Sequence, residues 1–352
     1  MKALTRVCLV PRLAGVGGMV SFQYKLAAGL ARHGVDVCYD LADLPYQAVL
    51  VIGGTRHLGG LWRARRRGLP IVQRLDGMNW LHRQRRGSLR HYLRSEYGNR
   101  LLALLRSRLA THIVYQSQFV RTWWEGVHGA TPLPNTVIYN GVDLAVYTPD
   151  GPEQPPADRP RLLLVEGSLM GGYEHGLLAA TELAWRLARA GEEGPASQVE
   201  LLIVGRVSSD MQRYWENQLA QAGRSQQVIL TWHGLAAPEH IPGLDRSAHL
   251  LYSADINPAC PNSVIEALAC GLPVVAFDTG ALPEIVSQGA GRVVPYGSDP
   301  WRLEMPDLDA LAQAARQVLG EQARFRRGAR LCAESSFSLE QMVAAYLEVL
   351  SA

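Results

Sequence analysis

The sequence predicts an α/β chain of two doubly wound, Rossmann-like domains facing across a cleft, and three observations predict it. Short apolar runs rich in valine, isoleucine and leucine alternate with longer segments of helical spacing, which is the pattern of a parallel sheet covered by helices. The alternation runs twice. Between the two runs lies PDGPEQPPADRP, residues 149–160, whose five prolines no helix or central strand tolerates. A length of 352 residues also suits two domains of about 150 residues better than one. The expected boundaries are a first domain over 1–148, a linker over 149–160, a second domain over 161–337 and a final helix over 338–352.

The first domain opens on the apolar run VCLVP at 7–11, followed by Gly15-Val16-Gly17-Gly18 and a helix over 19–32 that His33-Gly34 ends. A strand, a glycine turn and a helix suit a phosphate, although G-x-G-x-x-G and G-K-[ST] are both absent, and a tight packing turn explains the glycines equally. Strands follow at 35–39, 48–52 and 70–75. The last ends in Asp76-Gly77, and in open α/β sheets such strand ends face the ligand crevice. Asp76 there binds sugar, binds acceptor or caps the next turn. A long helix over 88–108, a strand over 111–116, a short helix over 118–124 capped by Ser117 and a turn at Asn140-Gly141 complete the domain, with Trp123-Trp124 as packing residues.

The second domain begins with the strand LLLVEG after Arg161, then a helix over 173–189, the strand VELLIVG, a helix over 212–222 and the strand VILTWHG. The stretch from Asp255 to Val286 reads as strand, loop, helix, strand, helix. Asn262 or Ser263 caps its first helix, Glu266 completes a capping-box spacing with Ser263, and Gly271 and Pro273 stop the helix before Val274-Val275. A helix starting beyond a parallel strand aims N–H groups and partial positive charge above the sheet, where phosphate is the natural guest. A second such helix opens at Gly280 to Glu284. Helices over 308–319 and 341–350 finish the chain.

The net charge of +3 conceals an asymmetry, because residues 61–108 hold thirteen arginines against two acids, Asp76 and Glu96. This Arg63-to-Arg108 block implies an anionic acceptor or an acidic membrane surface, or else a solvated helix face in an arginine-preferring chain. No apolar run reaches the roughly 18 residues of a membrane span, and Arg6 and Arg12 interrupt the N-terminus, so neither a span nor a signal peptide is expected. Five scattered cysteines without C-x-x-C spacing argue for reduced thiols in a cytoplasm. The expected location is therefore cytoplasmic, with peripheral contact at the inner membrane face left open. No nucleic-acid partner and no metal or cofactor are expected.

The run PNSVIEALACGLPVVAFDTGALPEIV, together with VYQSQFVRTWW and NTVIYNGVDLAVYTP, resembles the retaining family-4 glycosyltransferases of GT-B fold, the "glycosyl transferases group 1". Their signature is two glutamates separated by seven residues, then EA-x-A-x-G-x-PVV and G-x-x-PE. Glu266 matches the second glutamate, which in the family holds the ribose hydroxyls, and Glu284 matches that of G-x-x-PE. The first glutamate is replaced by Pro258. The family's G-R-x-x-x-x-K-G-like diphosphate loop reads here GSLMGGYEHG, with Ser168 after Gly167 in place of arginine and His175 near the lysine.

The resemblance implies transfer of a sugar from a UDP- or GDP-sugar to an unidentified glycan, lipid or small-molecule acceptor with retention at the anomeric carbon, the nucleotide-sugar being a co-substrate. It places Asp76, His175 and Glu266 at the reacting groups, and Gly17, Gly18, Gly167, Ser168, Arg206, Asn262, Ser263, Val264, Glu266, Gly280 and Glu284 around the donor. His175, Arg206 or the Gly171-Gly172 amides would replace the missing cations. It also implies that the last helix crosses back to the first domain. Pro258, Ser168 and His175 leave an alternative, a catalytically degenerate GT-B protein that binds nucleotide or glycan without turnover. A sugar-nucleotide epimerase would have only Asp76 and His175 as acid and base.

Overall fold

The computed structural model describes residues 4–352 apart from Val16, Arg86, 170–173, 190–197 and Gln288, with Glu174 described by its backbone alone. The chain divides into two compact units, Met1–Gly141 with Phe337–Ala352, and Val142–Ser336. Each is built on one six-stranded parallel sheet.

The first unit runs β1 (Arg6–Val10), α1 (Gly18–Arg32), β2 (Asp36–Cys38), β3 (Ala48–Ile52), α2 (Leu58–Arg66), β4 (Ile71–Leu75), α3 (Leu81–Gln84), α4 (Leu89–Arg108), β5 (His112–Tyr115), α5 (Gln118–His128) and β6 (Asn135–Val137). Its strand order is β2-β1-β3-β4-β5-β6, all parallel. Strands β3 and β4 are buried at every residue because helices cover both faces, which is why β3 reads as a continuous apolar run; β4 buries Gln73 and Arg74 as well. On one face α2 and α4 pack Leu61, Ala64 and Leu105 against Val49, Val51 and Ile71. Ser88 caps α4 by accepting from His91 N, and Ser117 caps α5 by accepting from Val120 N. Helix α5 continues past the expected end at 124 because the first breaker is Gly129, at φ +76°.

The second unit runs β7 (Arg161–Ser168), α6 (Glu174–Arg189), β8 (Val199–Arg206), α7 (Ser209–Gln221), β9 (Val228–Gly234), α8 (Ile241–Arg246), β10 (Leu250–Tyr252), α9 (Asn262–Ala269), β11 (Val274–Phe277), α10 (Leu282–Ile285), β12 (Gly291–Val294), α11 (Leu308–Gly320) and α12 (Gln322–Ser336). Its order is β12-β11-β10-β7-β8-β9. Its core packs Leu162, Leu164 and Ile203 of the sheet against Leu183 and Leu187 of α6 and Leu311 and Ala315 of α11. The proline-rich segment 149–160 falls inside this unit, where Arg246 of α8 donates to Glu153 and to the Thr148 carbonyl.

The last helix, α13 (Leu339–Ser351), belongs to the first unit and covers the face opposite α2 and α4. Its Val343 approaches α1 so closely that a Cβ on Gly29 would lie 2.3 Å from Val343 Cγ2, and Tyr346 packs its ring 5.3 Å from that of Phe22.

Three expectations are corrected. The strand expected to begin at Asp255 lies earlier, at Leu250–Tyr252. The turn expected at Asn140-Gly141 is extended chain: Asn140 accepts a hydrogen bond from Arg74, and a Cβ on Gly141 would meet the Leu339 backbone at 2.8 Å. Helix α12 was not anticipated, since its buried stripe of Phe325, Gly328, Ala329, Cys332 and Ala333 has helical spacing but is mostly small side chains among arginines. All five cysteines are buried and none forms a disulfide, and among the described residues no helix is long and apolar enough to cross a membrane.

Candidate active site

An open parallel sheet binds ligands outside the carboxyl ends of its strands, where the strand order reverses. In the first unit the reversal falls between β1 and β3, and in the second between β7 and β10. The loops leaving these four strands therefore decide which residues reach a ligand.

In the first unit the loop after β1 carries Gly17 and Gly18. Gly17 sits at φ +141° at the start of α1, a conformation open to glycine alone, and no side chain caps that helix. Asp76 follows β4. Its Oδ1 accepts from Arg74 at 2.7 Å and from the Gln116 amide, while its carbonyl accepts from Trp124 Nε1 at 2.8 Å. Arg74 is itself 1% exposed, spans from Asp76 to Asn140 and lies over the Phe22 ring, with its Cζ 3.7 Å from the centroid. Burial pushes the Asp76 carboxyl above its ordinary range, while Arg74 and Gln116 pull it back. Asp76 is thus a fixed group tied to the core through one oxygen, and 24% of its side chain is exposed.

In the second unit, Gly167 and Ser168 end β7, and the register pairs Ser168 with Arg206 at the end of β8. The Leu169 N–H donates to the Arg206 carbonyl at 3.0 Å, which holds the two strand ends side by side. Arg206 is exposed and makes no ion pair among the described residues. A guanidinium therefore lies beside the serine that stands where the family has arginine. His175, in the first turn of α6, lines a pocket with Gly176, Ser253, Asp255 and Thr279. The Gly171-Gly172 amides lie outside the described residues.

Helix α9 begins on Pro261 with no side-chain cap. The capping box that Ser263 and Glu266 spell is therefore not made, because the helix starts one residue before Ser263 and puts Glu266 in its fifth position. The N-cap residue, a proline, has no side-chain acceptor to offer the first turn at Asn262, Ser263 and Val264. Glu266 instead accepts from the Tyr147 hydroxyl, and its charge, with burial as the larger cause, pushes the Tyr147 phenol up. Asp245 of α8 and Cys270, just past the end of α9, share this corner.

The turn at Gly280 is built differently from expectation. Gly280, at φ +59°, packs where a Cβ would lie 2.4 Å from Pro258 N, and the Pro258 carbonyl accepts from Ala281 N at 2.9 Å. Leu282 N is taken by the Thr279 carbonyl. Helix α10 is only four residues long, and its entry N–H groups are spent on the protein itself. Pro258, standing where the family has its first glutamate, thus braces the turn that carries Gly280, while Glu284 is half-buried.

Two acids that the sequence reading had not singled out flank the reversal in the second unit. Glu166 leaves β7 in the irregular stretch between Val165 and Ser168, and Asp255 follows β10. Burial raises Glu166 well above the carboxylate range, with repulsion from Asp255 adding to it, and burial pushes Asp255 up to about 6. Carboxyls that hold their protons tolerate an anionic neighbour better than ionised ones. The legible signal was positional, since both acids stand at or just beyond the carboxyl ends of adjacent parallel strands.

A pair of doubly wound parallel sheets with these strand orders is the GT-B architecture, and solved structures of that class match it along nearly the whole chain. Residues 163–321 match the family model described as glycosyl transferases group 1. The structure is similar to a sucrose-phosphate synthase from Thermosynechococcus elongatus, with a TM-score of 0.73 and 16% identity over 98% of each chain. It is similar to HepE of Anabaena, solved in complex with UDP and glucose, with a TM-score of 0.69 and 18% identity over 99% of each chain. A glycosyltransferase from Rickettsia africae gives a TM-score of 0.69 at 16% identity, covering 100% of this chain and 98% of that one. A search of curated proteins found no match.

Proposed function

We propose that the protein transfers a sugar from a UDP- or GDP-sugar to an acceptor with retention of configuration. The observation that carries the reading is helix α9, which starts without a side-chain cap at the carboxyl edge of its sheet, within the segment that matches the glycosyltransferase model. The N–H groups of that first turn and the helix dipole suit the donor diphosphate. Arg206, in register with Ser168, supplies the cation that the loop itself lacks. Glu266 accepts from the ribose hydroxyls, oriented by Tyr147. The UDP and glucose of the Anabaena complex favour uridine as the base.

On this reading the bond between the anomeric carbon and the diphosphate oxygen breaks as positive charge develops on the sugar ring. The acceptor oxygen attacks from the face the diphosphate leaves, and the diphosphate takes the acceptor proton. No enzymic nucleophile is required. The diphosphate gains charge in this transition state, so Arg206 and the α9 amides act where charge appears. Asp76 and the Gly17-Gly18 loop serve the acceptor side, and His175 stands by the diphosphate.

The test is a panel of UDP-, GDP- and ADP-sugars with purified protein, following nucleoside diphosphate release alongside thermal shift. Release from one donor, lost in Glu266→Ala and lowered about a hundredfold in Arg206→Ala, is the expected result. Retention is read from the anomeric coupling of the product by NMR. Binding without release across varied acceptors would instead support the degenerate reading, and no binding of any donor would sink the assignment.

A further inference from the structure

Helix α4 is twenty residues, about 30 Å, long. Its inward face carries Ser95, Asn99, Leu105 and Arg106. A helix on the outside of a sheet should turn a polar stripe to water, and α4 does not. Leu89, Leu93, Tyr97 and Leu104 are 73%, 58%, 52% and 43% exposed. Their steps of four, four and seven residues put them along one outer stripe. Arg90, Arg94, Arg100 and Arg108, all exposed, are interleaved with them. Residues 87–94 are each exposed, and in this stretch His91 and Tyr92 meet the His82 ring edge-on while the Leu89 and Leu93 side chains face water.

The charges on this face are of one sign. Both acids of residues 61–108 are engaged within the unit: Asp76 by Arg74 and Gln116, and Glu96 by His82 at 2.8 Å and Arg83 at 2.7 Å. Several arginines are also spent inside. Arg74 and Arg106 are buried, and Arg65 donates to the Leu109 and Ala110 carbonyls. Those left facing water, on α4, at Arg63 and Arg66 of α2 and at Arg67 just after it, have no acid beside them among the described residues. Trp62 of α2, 52% exposed, lies under the Arg66 guanidinium, with 4.7 Å between Cζ and the ring centroid.

We infer that the outer face of α4, with the exposed arginines of α2, docks on an anionic lipid bilayer, the leucines and tyrosine entering the interface while the arginines meet lipid phosphate. A second copy of the chain is a poor occupant, because pairing two such faces brings cation against cation. A soluble phosphorylated ligand or a nucleic acid accounts for the arginines but leaves the Leu89–Leu93–Leu104 stripe uncovered. An anionic bilayer satisfies both chemistries at once. The inference does not depend on the sugar donor.

The test is co-sedimentation of the full chain with vesicles of phosphatidylcholine alone and of phosphatidylcholine mixed with phosphatidylglycerol, at low and high salt. The expected result is binding to the anionic vesicles only, weakening with salt. Each arginine removed should cost about fivefold, so Arg90→Gln, Arg94→Gln and Arg100→Gln together should lose about a hundredfold. Leu93→Ser with Leu104→Ser should leave only a weak, wholly salt-sensitive association. All these side chains are exposed, so thermal melts of the variants should overlay the wild type and separate lost docking from lost folding. The inference is overturned if wild-type protein ignores anionic vesicles, if the variants bind as well as the wild type, if light scattering shows a dimer that the leucine substitutions abolish, or if the chain is retained on heparin or RNA but not on vesicles.

Discussion

Asp245 shows most sharply what a single buried residue does in this chain. It is 1% exposed, and the Cys270 thiol donates to its carboxyl. Burial pushes it well above the carboxylate range and Glu266 adds repulsion, while the Cys270 thiol and Arg246 pull it back. The folded state therefore keeps a proton that the unfolded chain releases near pH 4, and stability falls as pH rises above that value. Asp245→Asn removes the titration, so it should be more stable than the wild type at pH 7 and melt with a flatter pH dependence. Melts from pH 5 to 8 check this, and a variant less stable at every pH would sink it. Asp76 differs in having a counter-charge within hydrogen-bond distance. Asp76→Ala leaves the buried Arg74 without its counter-charge and should cost about 3 kcal/mol in urea unfolding, whereas Asp76→Asn keeps an acceptor for the guanidinium and should cost less. Glu266→Gln keeps the shape of the corner but weakens its acceptor, so UDP affinity measured by calorimetry should fall about tenfold or more.

Helix ends and close glycines decide the elements. Ser88, Ser117, Ser208 and Ser338 each cap a helix, Ser117 as expected and Ser208 and Ser338 ahead of the expected helix starts. Ser263 does not, because Pro261 takes the N-cap position two residues before it and the local signal for a capping box cannot report where the chain enters the helix. The contact of α13 rests on small residues. Gly141 has ordinary negative φ but lies against the Leu339 backbone, and backbone cannot move aside as a side chain can. Gly141→Ala should therefore lower the melting temperature of the first unit, while Gly68→Ala, at a φ of +73° with open space around it, is strained by its own backbone alone and should cost only about 1 kcal/mol. Differential scanning calorimetry compares the two, and an innocuous Gly141→Ala would show that α13 is held elsewhere.

At the scale of the whole molecule, the chain does not divide at one point in sequence. The first unit takes its last sixteen residues from the far end of the chain, and Met342, Val343 and Tyr346 of α13 share a core with Phe22, Leu26 and Leu30 of α1. A chain truncated after Ser336 should lose the fold of its first unit, seen as aggregation or as missing protection in hydrogen exchange over 18–32, while 142–336 keeps its protection. A nucleotide that binds the second unit should stabilise it by about 2.7 kcal/mol at a hundredfold excess over Kd, a rise of roughly 5 to 10 °C in its melting temperature.

The sequence by itself determined the parallel α/β class, the two runs of alternating elements and the segment around α9, because hydrophobic period, glycine, proline and a long motif are all local in the chain. The fate of each motif residue was not local. Only the tertiary structure set Ser168 beside Arg206, spent the Ala281 amide on Pro258, turned Glu266 to Tyr147 and Asp245, and brought Glu166 and Asp255 to one strand edge. Each of these pairings joins residues far apart in sequence, and strand order, which no local pattern encodes, decides which strand ends become neighbours. The arginines of 61–108 divide in the same way: their number is written in the sequence, but burial of Arg74 and Arg106 and exposure of Leu89 and Leu93 follow from which side of α4 and β4 the sheet covers.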